Sequence, residues 1–325
     1  MQIVLYILII VLLVAIFCVL YLIKRSKDAN TQLQEKLIQQ QTKIAALNNT
    51  ISQKKDNISK IVKEYNDTAN SLKSSIQYAE RIQRAIIPQN TEFKMLFPEC
   101  FIFFEPRDIV SGDFYMCKSS PDCKIAIVAD CTGHGVPGGL LSMLGMSAIK
   151  DLFAKQNITK DFNPGDFLES LRKVMLSSLA EADESDNTTV SDGMDISICA
   201  FDSNMTQMRY AAANHTIYVV HDGEINKLKG CRMPIGRYPK QDEPFETFSF
   251  DLQHGDTVYL CSDGIQDQFG SADNKKFSTK RLAAMLQENS AKDIQQQYTD
   301  ISTYVHEWEA GYNQYDDQTL IGIRI

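Results

Sequence analysis

The sequence predicts an α+β domain over residues 88–325, preceded by one transmembrane helix and a long coiled-coil helix. Three observations predict it. The N-terminus is an uncharged apolar run, the next sixty or so residues carry a heptad pattern without Gly or Pro, and the remainder is built of short β-rich runs with helices grouped between them. Helices grouped in this way, with hairpin-linked strands, fit an α+β layering better than a doubly wound parallel sheet.

Residues 1–23, MQIVLYILIIVLLVAIFCVLYLI, contain no charged side chain, and Lys24, Arg25 and Lys27 follow at once. At about 1.5 Å per residue the run is long enough for a hydrocarbon core about 30 Å thick. A cleaved signal peptide would carry basic residues ahead of its apolar stretch, and only Met1 and Gln2 stand ahead of Ile3. The positive-inside tendency therefore predicts a single-pass protein of the inner (cytoplasmic) membrane with everything after Lys24 in the cytoplasm.

Residues 27–87 read as one helix. Alternating steps of four and three give Leu33, Leu37, Gln40, Ile44, Leu47, Ile51, Lys54, Ile58, Ile61, Tyr65, Thr68, Leu72, Ser75, Ala79, Ile82 and Ile86. A mostly apolar seam held at that spacing predicts a coiled-coil homodimer. Polar residues at Gln40, Lys54, Thr68 and Ser75 weaken the seam and make the pairing adjustable, and Pro88 closes the helix.

In the domain proper, strands are expected at Phe101–Glu105, Phe114–Lys118, Lys124–Ala129, Met194–Phe201, Met208–Ala212, Ile217–His221, Glu224–Lys229, Thr257–Cys261 and Thr319–Ile325. Asp222-Gly223 between two of them is a hairpin signal. Helices are expected at Gly138–Phe153, Pro164–Ala182, Thr279–Glu288 and Ala291–Glu309. The acidic segment Glu181–Asp192 reads as a solvated loop. A net charge of −8 argues against a nucleic-acid surface. The eight cysteines lack CxxC pairing and read as reduced, mostly buried thiols, and the five histidines lack zinc-ligand spacing.

Chemistry enters at the strand ends. IAIVADCTGHGVPGGLL runs an apolar strand into Asp130, then into backbone freed by Gly133 and Gly135, which presents a hard oxygen ligand at the mouth of a sheet. A lone strand-end aspartate is more often a turn former. Here the arrangement repeats: Asp113 in SGDFY, Asp263 in VYLCSDGIQD, and Asp316 with Asp317 in NQYDDQTLIGIRI. Four separated carboxylate sites beside apolar strands suggest one divalent-metal centre. Hydrolysis of a phosphomonoester needs neutralised phosphoryl oxygens and an activated water, and a two-metal site supplies both.

The ordered set SGDFY, VADCTGHGVPGGLLS, DGMDISICAFD, AAANH, LCSDGIQDQ and DDQTL resembles the SpoIIE-like branch of the PPM (protein phosphatase 2C type) metal-dependent serine/threonine phosphatases, over essentially all of residues 87–325. That resemblance implies a central β-sandwich flanked by helices, with two Mn²⁺ or Mg²⁺ ions at one end of the sheets. It assigns Asp130 as the ligand bridging both ions, Asp113 and the backbone carbonyl of Cys131 to one ion, and Asp263 and Asp316 to the other, with Asp317 as the alternative to Asp316. It implies a phosphoprotein substrate, in this branch usually a phosphorylated anti-anti-sigma (STAS) protein.

The chain departs from the family pattern in two places. Where the wider family has a Glu before the residue matching Asp113, this chain has Gly112, so that ion loses a carboxylate. The eukaryotic-type general-acid histidine falls where this chain has Thr132. His134, two residues on, is a candidate to protonate the leaving oxygen or, more in keeping with its glycine turn, to orient the loop. Arg107 is a candidate phosphate ligand, one residue out of step. Asp195, inside an apolar strand, needs a partner: it either caps the turn at Asn214 and His215 or joins Asp192 at a third metal. CRMPIGR, Cys231 to Arg237, matches the bare spacing of a phosphocysteine loop, but Pro234 removes an amide such a cradle needs and no helix start follows. Two further function classes stand beside the phosphatase. A catalytically idle partner-binding signalling module is disfavoured by retention of the ligand-type aspartates, and a nucleotide-acting enzyme lacks a GxxxxGK[ST] loop.

Overall fold

The computed structural model describes residues 1–156, 158–183, 192–237, 243–270 and 275–325. The expected loop Glu181–Asp192 falls largely outside them. The chain divides into two compact units, Met1–Leu72 and Lys73–Ile325.

Helix α1, Gln2–Ile86, is continuous, as the apolar run and the heptads together require. One stretch of it is long and apolar enough to cross a membrane by length and composition, at a mean hydropathy of 3.6. Within the first unit Leu33, Leu37, Ile44, Leu47, Ile51, Ile58 and Ile61 are exposed. The hydroxyls of Thr31, Thr42, Thr50 and Thr68 donate to carbonyls four residues back, which lets these polar residues sit inside a helix.

In the second unit the elements run α2 Asn90–Leu96, β1 Cys100–Glu105, β2 Asp113–Ser119, β3 Cys123–Cys131, α3 Gly135–Lys155, α4 Pro164–Asp183, β4 Gly193–Asp202, β5 Gln207–Ala213, β6 Thr216–His221 and β7 Glu224–Lys229. After them come β8 Ile235–Gly236, β9 Phe248–Asp251, β10 Thr257–Cys261, α5 Gly264–Asp267, β11 Phe269–Gly270, β12 Lys275–Lys276, α6 Ser278–Asn289, α7 Ile294–Glu309 and β13 Gln318–Arg324. One sheet has the order β1-β13-β10-β6-β7, the other β2-β3-β4-β5-β9 with β8 on β4, and the ladders of both are antiparallel.

Alternation along the strands builds the layers. Tyr115, Cys117, Ala126, Val128, Cys199 and Phe201 of one sheet meet Ile217, Val219, Val258, Leu260, Ile321 and Ile323 of the other in a common core. The intervening residues Phe114, Met116, Ile125, Ile127, Ile196 and Ile198 pack outward on Met146 and Ile149 of α3 and Phe167 and Leu171 of α4. On the far side Phe101, Phe103 and Tyr259 pack on Leu282 and Leu286 of α6 and Ile301 and Val305 of α7. The expected β-sandwich between helical layers is thus present. Sequence periodicity missed α2 and β9, both short, and the two-residue strands.

Candidate metal centre

Register places the carboxylates. Asp113 opens β2 opposite Asp130 near the end of β3, and Asp130 lies opposite Asp195 near the start of β4. Each shares the parity of a residue in the common core (Tyr115, Val128, Cys199), so all three belong to the inner face of their sheet at one end of the sandwich. The other sheet closes on them from across the core. Thr319 in β13 donates its hydroxyl to Asp113 Oδ2 at 2.6 Å, and Ser262, just past β10, hydrogen-bonds the same carboxylate. Asp263 follows directly, where β10 gives way to α5.

Burial and mutual repulsion dominate the electrostatics of this cluster. Burial first, eased by the Ser262 and Thr319 hydrogen bonds and worsened by Asp317 and Asp316, holds the Asp113 carboxyl well above the ordinary aspartate range. Burial, then the charges of Asp113, Asp263, Asp316 and Asp195, does the same to Asp130. Asp263 is raised by burial and by Asp267 and Asp316, partly offset by a hydrogen bond with Asp130. Asp195 is pushed up to about 6, chiefly by burial. Its Oδ2 accepts from Asn214 Nδ2 at 2.8 Å, and Asn214 takes the left-handed φ of 55°, so Asp195 steadies that turn.

Asp316 and Asp317 separate clearly. Both oxygens of buried Asp317 accept backbone amides, from Arg107 and Gly112, each at 2.7 Å. Asp316 is half-buried, and its charge bears on Asp113, Asp130 and Asp263. The Arg107 guanidinium is exposed and donates to the Tyr315 carbonyl at 2.8 Å, beside this segment. His134 is the residue before α3; its Nδ1 pairs with Asp108 Oδ2 at 3.0 Å and both side chains are largely exposed. Asp108 leans over Gly135, whose φ is +64°. Asp192 is half-buried, with its carbonyl 2.7 Å from where a Gly236 side chain would begin.

Gly112 has no room to be anything else. A Cβ there would stand 2.6 Å from the Gly133 carbonyl oxygen and 3.2 Å from that of Cys131. The missing family glutamate therefore reflects a turn drawn tight against the β3–α3 loop. The Cys131 thiol is buried and pushed up by that burial, as suits a packed residue and not a nucleophile.

The donor chemistry fits a hard divalent cation. Asp113, Asp130, Asp263 and Asp316 offer oxygens only, and the charges acting on Asp113 and Asp130 are all negative, so the cluster carries charge that a cation would neutralise. Among the described residues no three His, Cys, Asp or Glu side chains are already drawn into a metal-ligating group. Sequence reasoning missed Ser262 and Thr319, which support Asp113, and Asp108, the partner of His134. Ser262 and Thr319 stand inside the segments LCSDGIQDQ and DDQTL, which would have pointed to them, whereas Asp108 is recognisable only from what the fold brings beside it.

The family described as Stage II sporulation protein E (SpoIIE) matches residues 120–325. Among solved structures, the SiaA-PP2C domain of Pseudomonas aeruginosa is similar at 30% identity and a TM-score of 0.70, covering 79% of this chain and 98% of that one. The PP2C phosphatase domain of SpoIIE from Bacillus subtilis, with a fragment of its regulatory domain, is similar in fold at 16% identity and a TM-score of 0.54, covering 70% and 63%. The RsbU and RsbW domains of a Mycobacterium tuberculosis protein give 16% identity and 0.53, covering 70% and 60%. No curated protein sequence matches the chain.

Proposed function

We propose, from the premise that this chain belongs to the SpoIIE family of PP2C-type protein phosphatases, that it is a membrane-anchored, metal-dependent phosphatase releasing phosphate from phosphoserine or phosphothreonine on a cytoplasmic signalling protein. The observation that carries the reading is the row Asp113, Asp130, Asp195 across three adjacent strands, faced by Asp263 and Thr319 from the other sheet.

In this reading Asp113, Asp130, Asp263 and Asp316, with the Cys131 carbonyl, would hold two divalent ions, Mn²⁺ or Mg²⁺, with Asp130 the ligand common to both, Asp113 and the Cys131 carbonyl serving one and Asp263 and Asp316 the other. Such a pair would neutralise phosphoryl oxygens and activate a water. The rest falls to the chain. Thr319 and Ser262 hold the Asp113 carboxylate in one orientation. Asp317 ties the Arg107 and Gly112 amides together and so fixes the turn that delivers Asp113. Asp195 keeps the Asn214 turn against the cluster. His134, paired with Asp108 on an exposed loop, orients the entrance to α3.

The apolar N-terminal stretch of α1 supports the membrane anchor, and the exposed heptad side chains that follow support a homodimer through a coiled coil. The substrate proposed is a phosphorylated STAS-type protein, as in the branch this chain resembles. The test is hydrolysis of p-nitrophenyl phosphate and of a phosphoserine protein by the full chain in detergent micelles, with and without Mn²⁺. Turnover that requires Mn²⁺ or Mg²⁺ supports the reading. Saturable binding of the phosphoprotein with no turnover under either metal would replace it with an idle binding module.

A further inference from the structure

Gln83 is the buried residue of α1, at 3% exposure, in a helix whose other side chains are exposed or half-exposed. Glutamine is seldom so deeply buried, because each unpaired donor or acceptor of its amide is costly to remove from water. Here it is fully engaged. Nε2 donates to the Ser111 carbonyl at 2.6 Å and to Ser142 Oγ at 2.8 Å, while Oε1 accepts from the Ser111 amide at 3.1 Å. Ser142, on α3, adds its own hydroxyl to the Ser111 carbonyl at 3.0 Å. Ser111 and Ser142 are both fully buried.

The two bonds to Ser111 have the form of a strand pairing, with a side-chain amide in place of a neighbouring backbone. Their position gives them consequence. Ser111 Oγ accepts from the amide of Asp113 at 3.1 Å, the Gly112 amide donates to Asp317, and the Gly112 carbonyl accepts from the Cys131 amide at 3.3 Å. The turn 111–113 is thus gripped by Gln83 and Ser142 on one side and by Asp317 on the other. A buried aliphatic residue would pack α1 at least as well without the desolvation cost of an amide. What it would not do is define where Ser111 sits.

We propose that Gln83 is a positioning residue for the divalent-metal centre: through its paired bonds to Ser111 it sets the place of the Asp113 carboxylate, and so the affinity of the ion that Asp113 holds. The inference rests on the metal reading of the preceding subsection. It deepens that reading by assigning a determinant of metal affinity to α1, which supplies none of the ligands.

The test is direct Mn²⁺ binding by the full chain in detergent, read as free Mn²⁺ by electron paramagnetic resonance, alongside thermal melting without metal. Gln83→Leu leaves the Ser111 amide without its acceptor and the Ser111 carbonyl with the Ser142 hydroxyl alone, while preserving apolar packing. It is expected to weaken Mn²⁺ binding by about tenfold, the lower range for a group that orients a metal ligand, with turnover recovering as Mn²⁺ is raised to saturation. Cooperative melting with Mn²⁺ affinity within about twofold of wild type would overturn the inference and leave Gln83 a packing residue. If Gln83→Leu does not melt cooperatively, Ser142→Ala carries the test, since it takes one hydroxyl from the same network: about threefold weaker binding is expected, and unchanged binding overturns the inference. Wild-type chain that binds no Mn²⁺ overturns the metal reading and this inference together. Wild-type binding with unaltered variants overturns this inference alone.

Discussion

Two buried polar clusters are separated along the chain by Gly112 alone, and they are built on opposite terms. Around Ser111, the Gln83 amide, the Ser142 hydroxyl and the Ser111 backbone satisfy one another with neutral hydrogen bonds. From Asp113 onward, Asp113, Asp130 and Asp263 are raised first by burial and then by neighbouring carboxylates, Asp316 acting on all three, with Thr319 and Ser262 the neutral donors at Asp113. The first cluster is complete as it stands. The second is stable only with protons retained or with a cation supplied, and that incompleteness separates a candidate metal centre from a structural network.

The comparison breaks most sharply at Asp130. Asp130→Asn removes the charge shared by both proposed ion sites, so turnover at saturating Mn²⁺ is expected to fall by at least about a hundredfold, roughly 3 kcal/mol of transition-state stabilisation. The same change relieves repulsion, so the metal-free variant should melt no lower than wild type. Retention of more than about a tenth of wild-type turnover would remove Asp130 from the bridging role.

Asp317 tests the other side, because its carboxylate belongs to the satisfied framework although it neighbours Asp316. Asp317→Ala strands the buried Gly112 amide and the part-buried Arg107 amide, and is expected to cost about 2–3 kcal/mol in folding stability. Asp316→Ala removes one acceptor, that of the Asp317 amide at 2.9 Å, so it should cost less, about 1 kcal/mol, and weaken Mn²⁺ binding. Denaturant unfolding of the two variants, set beside Mn²⁺ titration, reads the difference, and identical profiles would mean the pair had been wrongly divided.

A smaller effect follows from pH. Asp113 and Asp130 have folded pKa values raised above their unfolded ones, so the folded chain holds protons the unfolded chain gives up. Their contribution is present at acid pH and is lost as pH rises through the raised values. Mn²⁺ displaces those protons, so its increment to the melting temperature should grow as pH rises. His215 acts in the opposite direction. Burial lowers it to about 4, so it destabilises the fold as pH drops below its ordinary value, and the comparison is cleanest above about pH 6.5. An Mn²⁺ increment independent of pH would argue that the raised carboxyls are not the ligands.

Much of this was legible in the sequence, and the rest was hidden for identifiable reasons. The strand-end aspartates declared themselves because an apolar run ending in Asp and Gly is a local pattern, and the alternation in β2, β3 and β4 fixed which face they share. Asp316 and Asp317 could not be divided, since adjacent carboxylates differ only in which amides the fold brings to them. Gln83 was hidden more thoroughly. It lies beside the heptad seam position Ile82 on a polar helix, and its partners are 28 and 59 residues away. Helix α2 has an N-terminus without a side-chain cap, and β9 has only four residues, half-buried and exposed in turn, so neither rises above the pattern of a loop.

The smallest expected effect is at His134. It pairs with Asp108, and both side chains are exposed. His134→Ala should change the turnover of p-nitrophenyl phosphate, whose leaving group needs no protonation, by no more than about twofold. Abolished turnover would place His134 in the organisation of the metal-binding loop itself.

The most direct test of the central claim, that the repelling carboxylates are a two-ion site, is the number of Mn²⁺ ions bound per chain. Electron paramagnetic resonance titration of the full chain in detergent should give two for wild type and a loss of tight binding at both sites in Asp130→Asn, because one bridging charge serves both. Two ions retained in Asp130→Asn, or none bound by the wild type near neutral pH, would contradict the account.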